Sequence, residues 1–403
     1  MKRPGSRSGA LLGGSNEPRN KRARLAQTIR ARQVNRRACE PAATSGPKKI
    51  LMTADPVGGV WTYAVDLLRA LGKEGVEVVL ATMGRPLRDD QQTAVATLPN
   101  VRLHTSEFAL EWMDNPWQDV DRAAEWLLDL EAKTKPDVIH LNGYAHAACP
   151  WRAPVLVVAH SCVLSWWRAV RGTRKPNEWN EYRRRVSAGL EAANFVVAPT
   201  RAMLATLGDN YGSLPRTGVI PNGRDSNGFR VGRKERFVFS AGRFWDESKN
   251  LVALEKAAGQ ITWPVRVAGR EEGRSGLVKL GRLSASAVAE ELSRAAIFCL
   301  PARYEPFGLA ALEAALSGCA LVLGDIPSLH EVWDDAALFV DPNDPKALAL
   351  TLQNLIDHPD EQASLARRAQ QQTGRYSIET MAERYLCLYR GLVGQIEVVQ
   401  EAA

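Results

Sequence analysis

A passage from a buried strand into a helix stands out in this chain, and it reads Leu300-Pro301-Ala302-Arg303-Tyr304-Glu305-Pro306-Phe307-Gly308-Leu309-Ala310-Ala311-Leu312-Glu313. The apolar run that ends at Leu300 predicts the strand, and Pro306 is tolerated at the first position of a helix. Glu305 would then lie at the carboxyl end of a strand, which is where open α/β sheets bind ligands. The passage predicts a parallel α/β fold with a binding site at the strand ends.

The two glutamates of this passage have a spacing that suits a ligand site. Glu313 follows Glu305 by eight residues, slightly more than two helical turns, so the two carboxylates lie near one face. A carboxylate is a good acceptor for the hydroxyls of a sugar or a ribose. The alternative is that Glu305 is only an acid at a helix N-terminus and that Glu313 is solvated. Free backbone N–H groups at the start of the helix favour an anion there, and we expect them on Phe307, Gly308 and Leu309.

Strands and helices alternate twice along the chain, which predicts two doubly wound domains that face each other across a cleft. We place a disordered basic extension at 1–48, a first Rossmann-like domain at 49–225, a second at 226–375, and a final helical segment at 376–403. Strands are predicted at 49–54, 76–81, 101–104, 136–141, 154–160, 194–199, 236–241, 265–268, 297–300, 320–324 and 338–340. Helices are predicted at 61–71, 112–132, 200–207, 250–258, 285–296, 306–317 and 345–358.

Three further groups of residues fall at predicted strand ends. Arg243 and Lys249 flank the loop after the first strand of the second domain, where two cations would neutralise a diphosphate leaving group. Gly58 and Gly59 would let the backbone approach a phosphate at a helix N-terminus. His160 ends a strand and could contact a sugar hydroxyl. The alternatives are two solvated cations, an ordinary glycine turn and a core histidine.

Composition excludes several classes of protein. The 403 residues carry a net charge of +7. However, 12 of the 52 basic residues and only two of the 45 acidic residues fall in 1–48, so the remainder is close to neutral. We therefore expect no nucleic-acid partner for the folded part. No apolar run is long enough to span a bilayer, and the six cysteines have no metal-ligand spacing. We expect a cytoplasmic protein with at most peripheral membrane contact, no metal and no bound cofactor.

Together these motifs closely resemble family 4 of the retaining glycosyltransferases, which have the GT-B fold. Glu305 to Glu313 matches that family's E-x7-E signature, and 241–250 matches its phosphate-binding loop. Residues 219–223 match its passage between domains. Gly58, Gly59 and His160 fall where the family keeps a glycine-rich loop and a sugar-contacting histidine.

The resemblance covers about 49–395. It implies that 49–225 is the acceptor-side domain, that 226–375 is the nucleotide-sugar-binding domain, and that the helix at 376–403 returns to the first domain. It leaves the basic extension unexplained; the composition of that extension suits a nucleic-acid-binding arm, an organellar transit peptide, or a dispensable extension from a misassigned translation start.

The resemblance implies transfer of a sugar from a nucleoside-diphosphate sugar, with retention of configuration and by a front-face mechanism without a metal. Catalytic roles would fall to His160, Arg243, Lys249 and Glu305. Arg282 would lie near the base, which the sequence does not identify as that of UDP, GDP or ADP. The alternatives are a GT-B-fold epimerase or phosphorylase acting on such substrates, or a protein that binds nucleotide sugars without catalysis.

The acceptor side is the part that the resemblance defines least. Four tryptophans, Trp151, Trp166, Trp167 and Trp179, fall near His160 in sequence, and Arg183-Arg184-Arg185 follow them. They predict either core packing or an aromatic and basic site. The acceptor classes that remain open are a sugar or glycan, a lipid-linked group and a small molecule.

Overall fold

Two parallel sheets, each covered by helices on both faces, make up the fold. The structure, a computed structural model, describes residues 46–173, 176–214, 216–270 and 276–401, with residues 395–401 described by backbone alone. The predicted extension at 1–48 therefore lies outside the described residues up to position 45. No helix among the described residues is long and apolar enough to cross a membrane.

The N-terminal sheet has, within the described residues, seven parallel strands in the order β3-β2-β1-β4-β5-β6-β7. In β1, Ile50 and Met52 pack on one face of the sheet, and Leu51 packs on the other. Both faces are buried, and the strand accordingly reads as a continuous apolar run. The strands are β1 (Lys49–Ala54), β2 (Glu77–Thr82), β3 (Val101–Thr105), β4 (Val138–Leu141), β5 (Val155–Val158), β6 (Phe195–Ala198) and β7 (Thr217–Val219).

The helices of the N-terminal domain connect these parallel strands. Thr200 caps one of them, since its side-chain oxygen accepts a hydrogen bond from the Met203 N–H. These helices are α1 (Gly59–Lys73), α2 (Asp89–Ala96), α3 (Trp117–Thr134), α4 (Val163–Arg171), α5 (Asn180–Ala192) and α6 (Arg201–Tyr211).

The C-terminal sheet has the order β10-β9-β8-β11-β12-β13 and is also parallel. Its strands are β8 (Glu235–Ala241), β9 (Val265–Ala268), β10 (Val278–Lys279), β11 (Ala295–Leu300), β12 (Ala320–Gly324) and β13 (Leu338–Val340). Its helices are α7 (Leu251–Ala258), α8 (Ala285–Arg294), α9 (Leu309–Leu316), α10 (Pro327–Trp333), α11 (Pro345–Asp357) and α12 (Pro359–Gln372).

The chain passes between the two domains twice, and the two passages contact each other. The N–H of Arg224 donates to the Tyr376 carbonyl over 2.9 Å. A Cβ on Gly223 would lie 2.3 Å from the Ser377 carbonyl oxygen, so only glycine allows this approach. The final helix, α13 (Ile378–Glu401), packs Tyr385 and Tyr389 into the core of the N-terminal domain.

Several predicted boundaries were wrong, and the reasons are local. Helix α3 begins at Trp117 rather than at 112, because Pro116 cannot continue a helix from the preceding turn. Strand β5 ends at Val158, which leaves His160 on the following loop. Helix α9 begins at Leu309, three residues after Pro306, because Gly308 takes a left-handed conformation with φ of 92°.

Candidate active site

A cavity of about 870 Å³ lies between the two sheets at the carboxyl ends of their strands. Its walls include Ala54 and Leu141 at the ends of β1 and β4, and Ala241, Ala268 and Leu300 at the ends of β8, β9 and β11. All of the residues predicted for catalysis or donor binding line this one cavity. Those residues are Gly58, Gly59, His160, Arg243, Lys249, Arg282, Glu305, Phe307, Gly308, Leu309 and Glu313.

The Glu305 carboxylate lies between a cation and a backbone donor. Lys249 Nζ donates to Glu305 Oε2 over 2.7 Å, and the N–H of Gly308 donates to Oε1 over 3.1 Å. The side chains are only 12% and 16% exposed, so this ion pair is largely withdrawn from water. The Gly308 N–H, predicted to be free, is thus occupied by Glu305. Phe307 is buried and packs edge-on against Tyr376.

An aspartate, Asp246, organises the loop after β8 and contacts Arg243. Asp246 Oδ2 lies 3.4 Å from a guanidinium nitrogen of Arg243, and its Oδ1 accepts the Ser248 N–H over 3.0 Å. The same Oδ1 accepts the indole N–H of Trp166 over 2.9 Å, which joins this loop to helix α4 of the other domain. The Arg243 guanidinium also lies 5.4 Å from the Trp245 ring. Arg243 is the more exposed of the two cations and is available to a ligand.

Glycines allow the two domains to approach each other across the cleft. Gly58 has φ of 77°, and a Cβ there would lie 3.2 Å from a guanidinium nitrogen of Arg243. A Cβ on Gly59 would lie 3.5 Å from the Leu309 side chain. The N-terminus of α1 therefore faces Arg243 and the N-terminus of α9, and its backbone N–H groups favour an anion between them.

Glu313 belongs to a buried group of charges that links the domains. Arg224 donates from Nε to Glu313 Oε1 over 2.8 Å and from Nη1 to Asp66 Oδ2 over 2.7 Å. Burial raises the pKa of Glu313, and the Arg224 guanidinium opposes this rise. Glu313 is therefore not the solvated helix residue of the alternative interpretation. It remains on the wall of the cavity, fixed in orientation by Arg224.

His160 is neutral and has a fixed tautomer. Its Nε2 lies 2.8 Å from Asn142 Oδ1, while Asn142 Nδ2 donates to the Thr53 carbonyl over 2.6 Å. The amide oxygen therefore faces His160, so Nε2 carries the proton and Nδ1 is an acceptor. Burial lowers the pKa of His160 to about 3. At neutral pH this ring can accept a hydrogen bond from a sugar hydroxyl.

Arg282 lines the cavity, and its charge acts on Arg85 just after the end of strand β2. Burial lowers the pKa of Arg85, which follows β2, and the charges of Arg88 and Arg282 lower it further. The positive charge of the cavity therefore extends from Arg243 towards Arg85. Phosphate or other anionic parts of a ligand would be favoured there.

The aromatic residues and the basic residues of the expected acceptor site separate in the structure. Trp166, Trp167 and Trp179 line the cavity, but Trp151 does not, and its indole N–H donates to the His146 carbonyl. The basic part of the acceptor-site alternative is not supported, because none of the side chains at 183–185 lines the cavity. Arg183 donates to the Asn210 carbonyl, Arg184 pairs with Glu181, and Arg185 pairs with Glu181 and Asp121.

Three residues of the site were missed by sequence reasoning. Asp66 lies within the apolar face of α1 and is 2% exposed. Because a buried carboxylate needs a cation or hydrogen-bond donor, an acid at such a position indicates a buried polar contact. Its partner Arg224 and the loop residue Asp246 follow turn sequences, and their contacts join segments far apart in the chain. Only the first of these could have been recognised from the sequence.

Among the described residues, no group of three His, Cys, Asp or Glu side chains is placed to hold a metal ion. Two acids on the N-terminal side of the cavity accept hydrogen bonds from backbone N–H groups. Glu111 accepts the N–H groups of Tyr144 and Ala145, and Asp55 accepts the N–H of Val57 over 2.7 Å.

The partly buried carboxyl of Asp55 should make the stability of the fold depend on pH. Burial raises its pKa from 3.8 to about 6, although the Val57 N–H and Arg243 oppose the rise. Between about pH 4 and pH 6 the Asp55 carboxyl is therefore protonated in the folded protein and ionised in the unfolded chain. As pH rises through this range the free energy of unfolding falls, and the full loss is reached only above pH 6. We expect Asp55→Asn to raise the thermal unfolding midpoint at pH 8 and to leave it unchanged at pH 4. Asp114→Asn, at an exposed position, is the control; an equal gain at both pH values would contradict this account.

Two protein-family models match successive parts of this chain. The chain matches the family described as Glycosyltransferase Family 4 over residues 57–227 and the family described as Glycosyl transferases group 1 over residues 224–372. It is 26% identical to the D-inositol 3-phosphate glycosyltransferase of Thermobispora bispora, over 89% of this chain and 95% of that protein.

Solved structures show the same fold. The sucrose-phosphate synthase of Thermosynechococcus elongatus aligns with a TM-score of 0.75 at 20% identity, over 86% of this chain and all of that one. Anabaena HepE, solved in complex with UDP-glucose, aligns with a TM-score of 0.67 at 16% identity, over 83% and 97% of the two chains. With two successive family matches that extend from 57 to 372 and two Rossmann-like domains around one cleft, this chain belongs to the family 4 glycosyltransferases of GT-B fold.

Proposed function

We propose that this glycosyltransferase uses a nucleoside-diphosphate sugar as its donor and transfers the sugar to an acceptor hydroxyl with retention of configuration. The observation that carries the proposal is the meeting of Arg243, the Lys249–Glu305 pair and the N-terminus of α9 on one wall of the cavity. These groups suit the diphosphate and the adjoining sugar. The complex of Anabaena HepE with UDP-glucose is consistent with such a donor.

Each donor contact follows from the geometry of the wall. Arg243 and Lys249 would bind the diphosphate, together with N–H groups at the starts of α1 and α9. Glu305 would accept hydrogen bonds from the transferred sugar, and Glu313, oriented by Arg224, would accept them from the ribose. Arg282 would lie near the base. These contacts stabilise the negative charge that develops on the leaving diphosphate, which lowers the barrier to transfer.

A front-face mechanism needs no carboxylate nucleophile, and most carboxylates of the described cavity are already bound to cations or to backbone N–H groups. Glu305 pairs with Lys249, Glu313 with Arg224, and Glu111 with backbone N–H groups. A double displacement would need a carboxylate free to form a bond to the sugar. In the front-face route the leaving phosphate takes the proton of the acceptor hydroxyl on the same side, and the protein contributes positioning and charge. His160 Nδ1 would help to position the sugar by accepting a hydroxyl hydrogen bond.

The test is turnover of UDP-, GDP- and ADP-sugars with an acceptor panel, with and without excess chelator. We expect nucleoside diphosphate release to depend on acceptor, to be unaffected by the chelator, and to yield a product with the anomeric configuration of the donor. Inversion of configuration would contradict the front-face route, and loss of activity with chelator would contradict metal independence. Conversion of the nucleotide sugar without acceptor, or dependence on free phosphate, would indicate an epimerase or a phosphorylase instead.

A further inference from the structure

The segment that carries Glu305 is held by the N-terminal domain on both of its sides. The N–H of Cys162, just before helix α4, donates to the Tyr304 hydroxyl over 3.1 Å. The hydroxyl of Thr200, just before helix α6, donates to the Pro306 carbonyl over 2.9 Å. The carboxylate proposed to hold the sugar therefore lies between two hydrogen bonds that join one domain to the other.

The Tyr304 side chain contacts the core of the N-terminal domain. Its ring packs against the buried cluster that includes Leu164 and Leu207, and its hydroxyl donates to Met203 Sδ over 3.4 Å. A hydroxyl that donates can accept at the same time, so the same group also accepts the Cys162 N–H. Cys162 is 1% exposed, and a buried backbone N–H needs a partner. Tyr304 is therefore a fixed point of contact between the domains.

The same contact lies close to His160 in the chain. Cys162 follows His160 by two residues, and the carbonyl of the intervening Ser161 accepts the Tyr144 hydroxyl over 2.8 Å. The stretch from the histidine to the N-terminus of α4 is thus held in place by its own domain. The Tyr304 hydroxyl consequently joins the segments of the two residues that would hold the transferred sugar.

Contacts within the C-terminal domain fix Glu305 in a different respect. Lys249 and the Gly308 N–H hold its carboxylate, and the Ser328 hydroxyl donates to its backbone carbonyl. These contacts orient the carboxylate relative to the cations proposed for the diphosphate. The spacing between Glu305 and His160 is set across the cleft, and so it depends on contacts between the two domains.

We infer that Tyr304 is a positioning residue for the transferred sugar, because it docks the segment of Glu305 on the N-terminal domain and thereby sets the spacing between Glu305 and His160. This inference rests on the proposed donor site and adds a residue to it. Tyr304 lines the cavity, but its hydroxyl is occupied by Cys162 and Met203, so it acts on the sugar through Glu305. The cations proposed for the diphosphate belong to the C-terminal domain, and the diphosphate should bind without this contact.

Calorimetric titration of the full chain with three pairs of ligands tests the inference. The pairs are UDP and UDP-glucose, GDP and GDP-mannose, and ADP and ADP-glucose. The measured quantity is the affinity ratio, which is the dissociation constant of the diphosphate divided by that of its sugar derivative. We expect Tyr304→Phe to lower this ratio by about fivefold or more, which is about 1 kcal/mol, with unchanged affinity for the diphosphate. We also expect kcat to fall by about tenfold to 10²-fold, the scale of a displacement of about 1 Å at the reacting groups.

The possible outcomes separate a positioning role from a structural one. A folded Tyr304→Phe variant that keeps both the affinity ratio and kcat, or that loses affinity for both ligands equally, would overturn the inference. A lower thermal unfolding midpoint with an unchanged ratio would also overturn it, because the contact would then serve stability alone. Failure of the wild type to bind any of the three nucleotide sugars would overturn the proposed donor site itself, and this inference with it.

Two further variants sharpen the test. Tyr211→Phe is the matched control, because the Tyr211 hydroxyl lies 3.2 Å from Cys162 Sγ within the N-terminal domain. It removes a hydroxyl close to the same cysteine and leaves the contact of Tyr304 in place, so the affinity ratio and kcat should equal those of the wild type. The double variant Tyr304→Phe, Glu305→Gln should have the affinity ratio of Glu305→Gln alone, because Tyr304 acts through Glu305. Losses that add up in the double variant would contradict the positioning role.

Discussion

Replacing Glu305 by Gln is expected to lower turnover by about 10²-fold or more, the scale of losing one charge-stabilising contact. The carboxylate accepts from Lys249 at 2.7 Å and from the Gly308 N–H at 3.1 Å, and it lines the donor wall. Gln keeps the shape of the side chain but removes the charge that orients Lys249 and accepts the hydroxyls of the sugar. Steady-state kinetics measures the loss, and circular dichroism checks that the fold is retained.

The partner variant gives this prediction a second test. Lys249→Met should lower turnover by a similar factor, because it removes a cation from the diphosphate site. Since the two side chains act as one unit, the double variant should lose about as much as either single variant rather than the product of both. Asp129→Asn, which breaks an exposed ion pair with Lys133 on helix α3, is the control and should keep full turnover. Near-normal turnover in folded Glu305→Gln and Lys249→Met would contradict the site assignment.

Arg224→Met is expected to be the most destabilising change to the cleft, at about 3–5 kcal/mol near neutral pH, the usual cost of breaking a buried ion pair. Arg224 is 15% exposed and bonds Asp66 of α1 and Glu313 of α9 at the same time. Within the described residues, its loss leaves the Glu313 carboxylate without a cation and the Asp66 carboxylate with Arg69 as its remaining cationic partner. Donor affinity should fall as well, because Glu313 would lose its fixed orientation.

The loss of stability in Arg224→Met should depend on pH. Burial already raises the pKa of Asp66 and of Glu313, and Arg224 opposes both shifts. Without Arg224 the folded-state pKa values should rise further above those of the unfolded chain. Each acid then lowers the free energy of unfolding once the pH exceeds the pKa that the acid has in the unfolded chain. Protonation of the buried acid at lower pH removes this loss.

Urea unfolding at pH 5 and pH 8 measures this dependence. We expect the difference between Arg224→Met and the wild type to be smaller at pH 5. Arg230→Met, which removes an exposed pair with Glu290, should cost little at either pH. An equal loss at both pH values for Arg224→Met would show that packing rather than charge accounts for its role.

The sequence predicted the parts of the site that depend on local pattern. Apolar runs that end in glycines, cations or acids place Gly58, Arg243 and Glu305 at strand ends, and parallel strands bring their carboxyl ends together. It failed where conformation depends on distant contacts. Helix α9 starts at Leu309 rather than at Pro306, since Gly308 is left-handed and bonds back to Glu305.

Long-range contacts also explain why the cross-domain links were missed. Arg224 follows a turn sequence that predicts only a linker, yet its backbone is fixed by Tyr376 and its side chain by Asp66 and Glu313. The triple arginine at 183–185 predicts a basic surface near the site, but neighbouring acids on α3 and α5 pair with two of its members. The contacts of Arg224 join segments far apart in sequence, whereas the Glu181 pairs lie three and four residues apart on α5 and were open to recognition from the sequence.

The most direct measurement of the donor site is calorimetric binding of a nucleoside diphosphate and of its sugar derivative to the wild type and to Glu305→Gln. If Glu305 holds the transferred sugar and the cations hold the diphosphate, Glu305→Gln should lose the added affinity of the sugar and keep most of the affinity for the diphosphate. Two results would contradict this account. In the first, the variant binds both ligands as tightly as the wild type does. In the second, the variant loses affinity for the diphosphate while the sugar still adds its full share of the affinity, which would show that Glu305 does not hold the sugar.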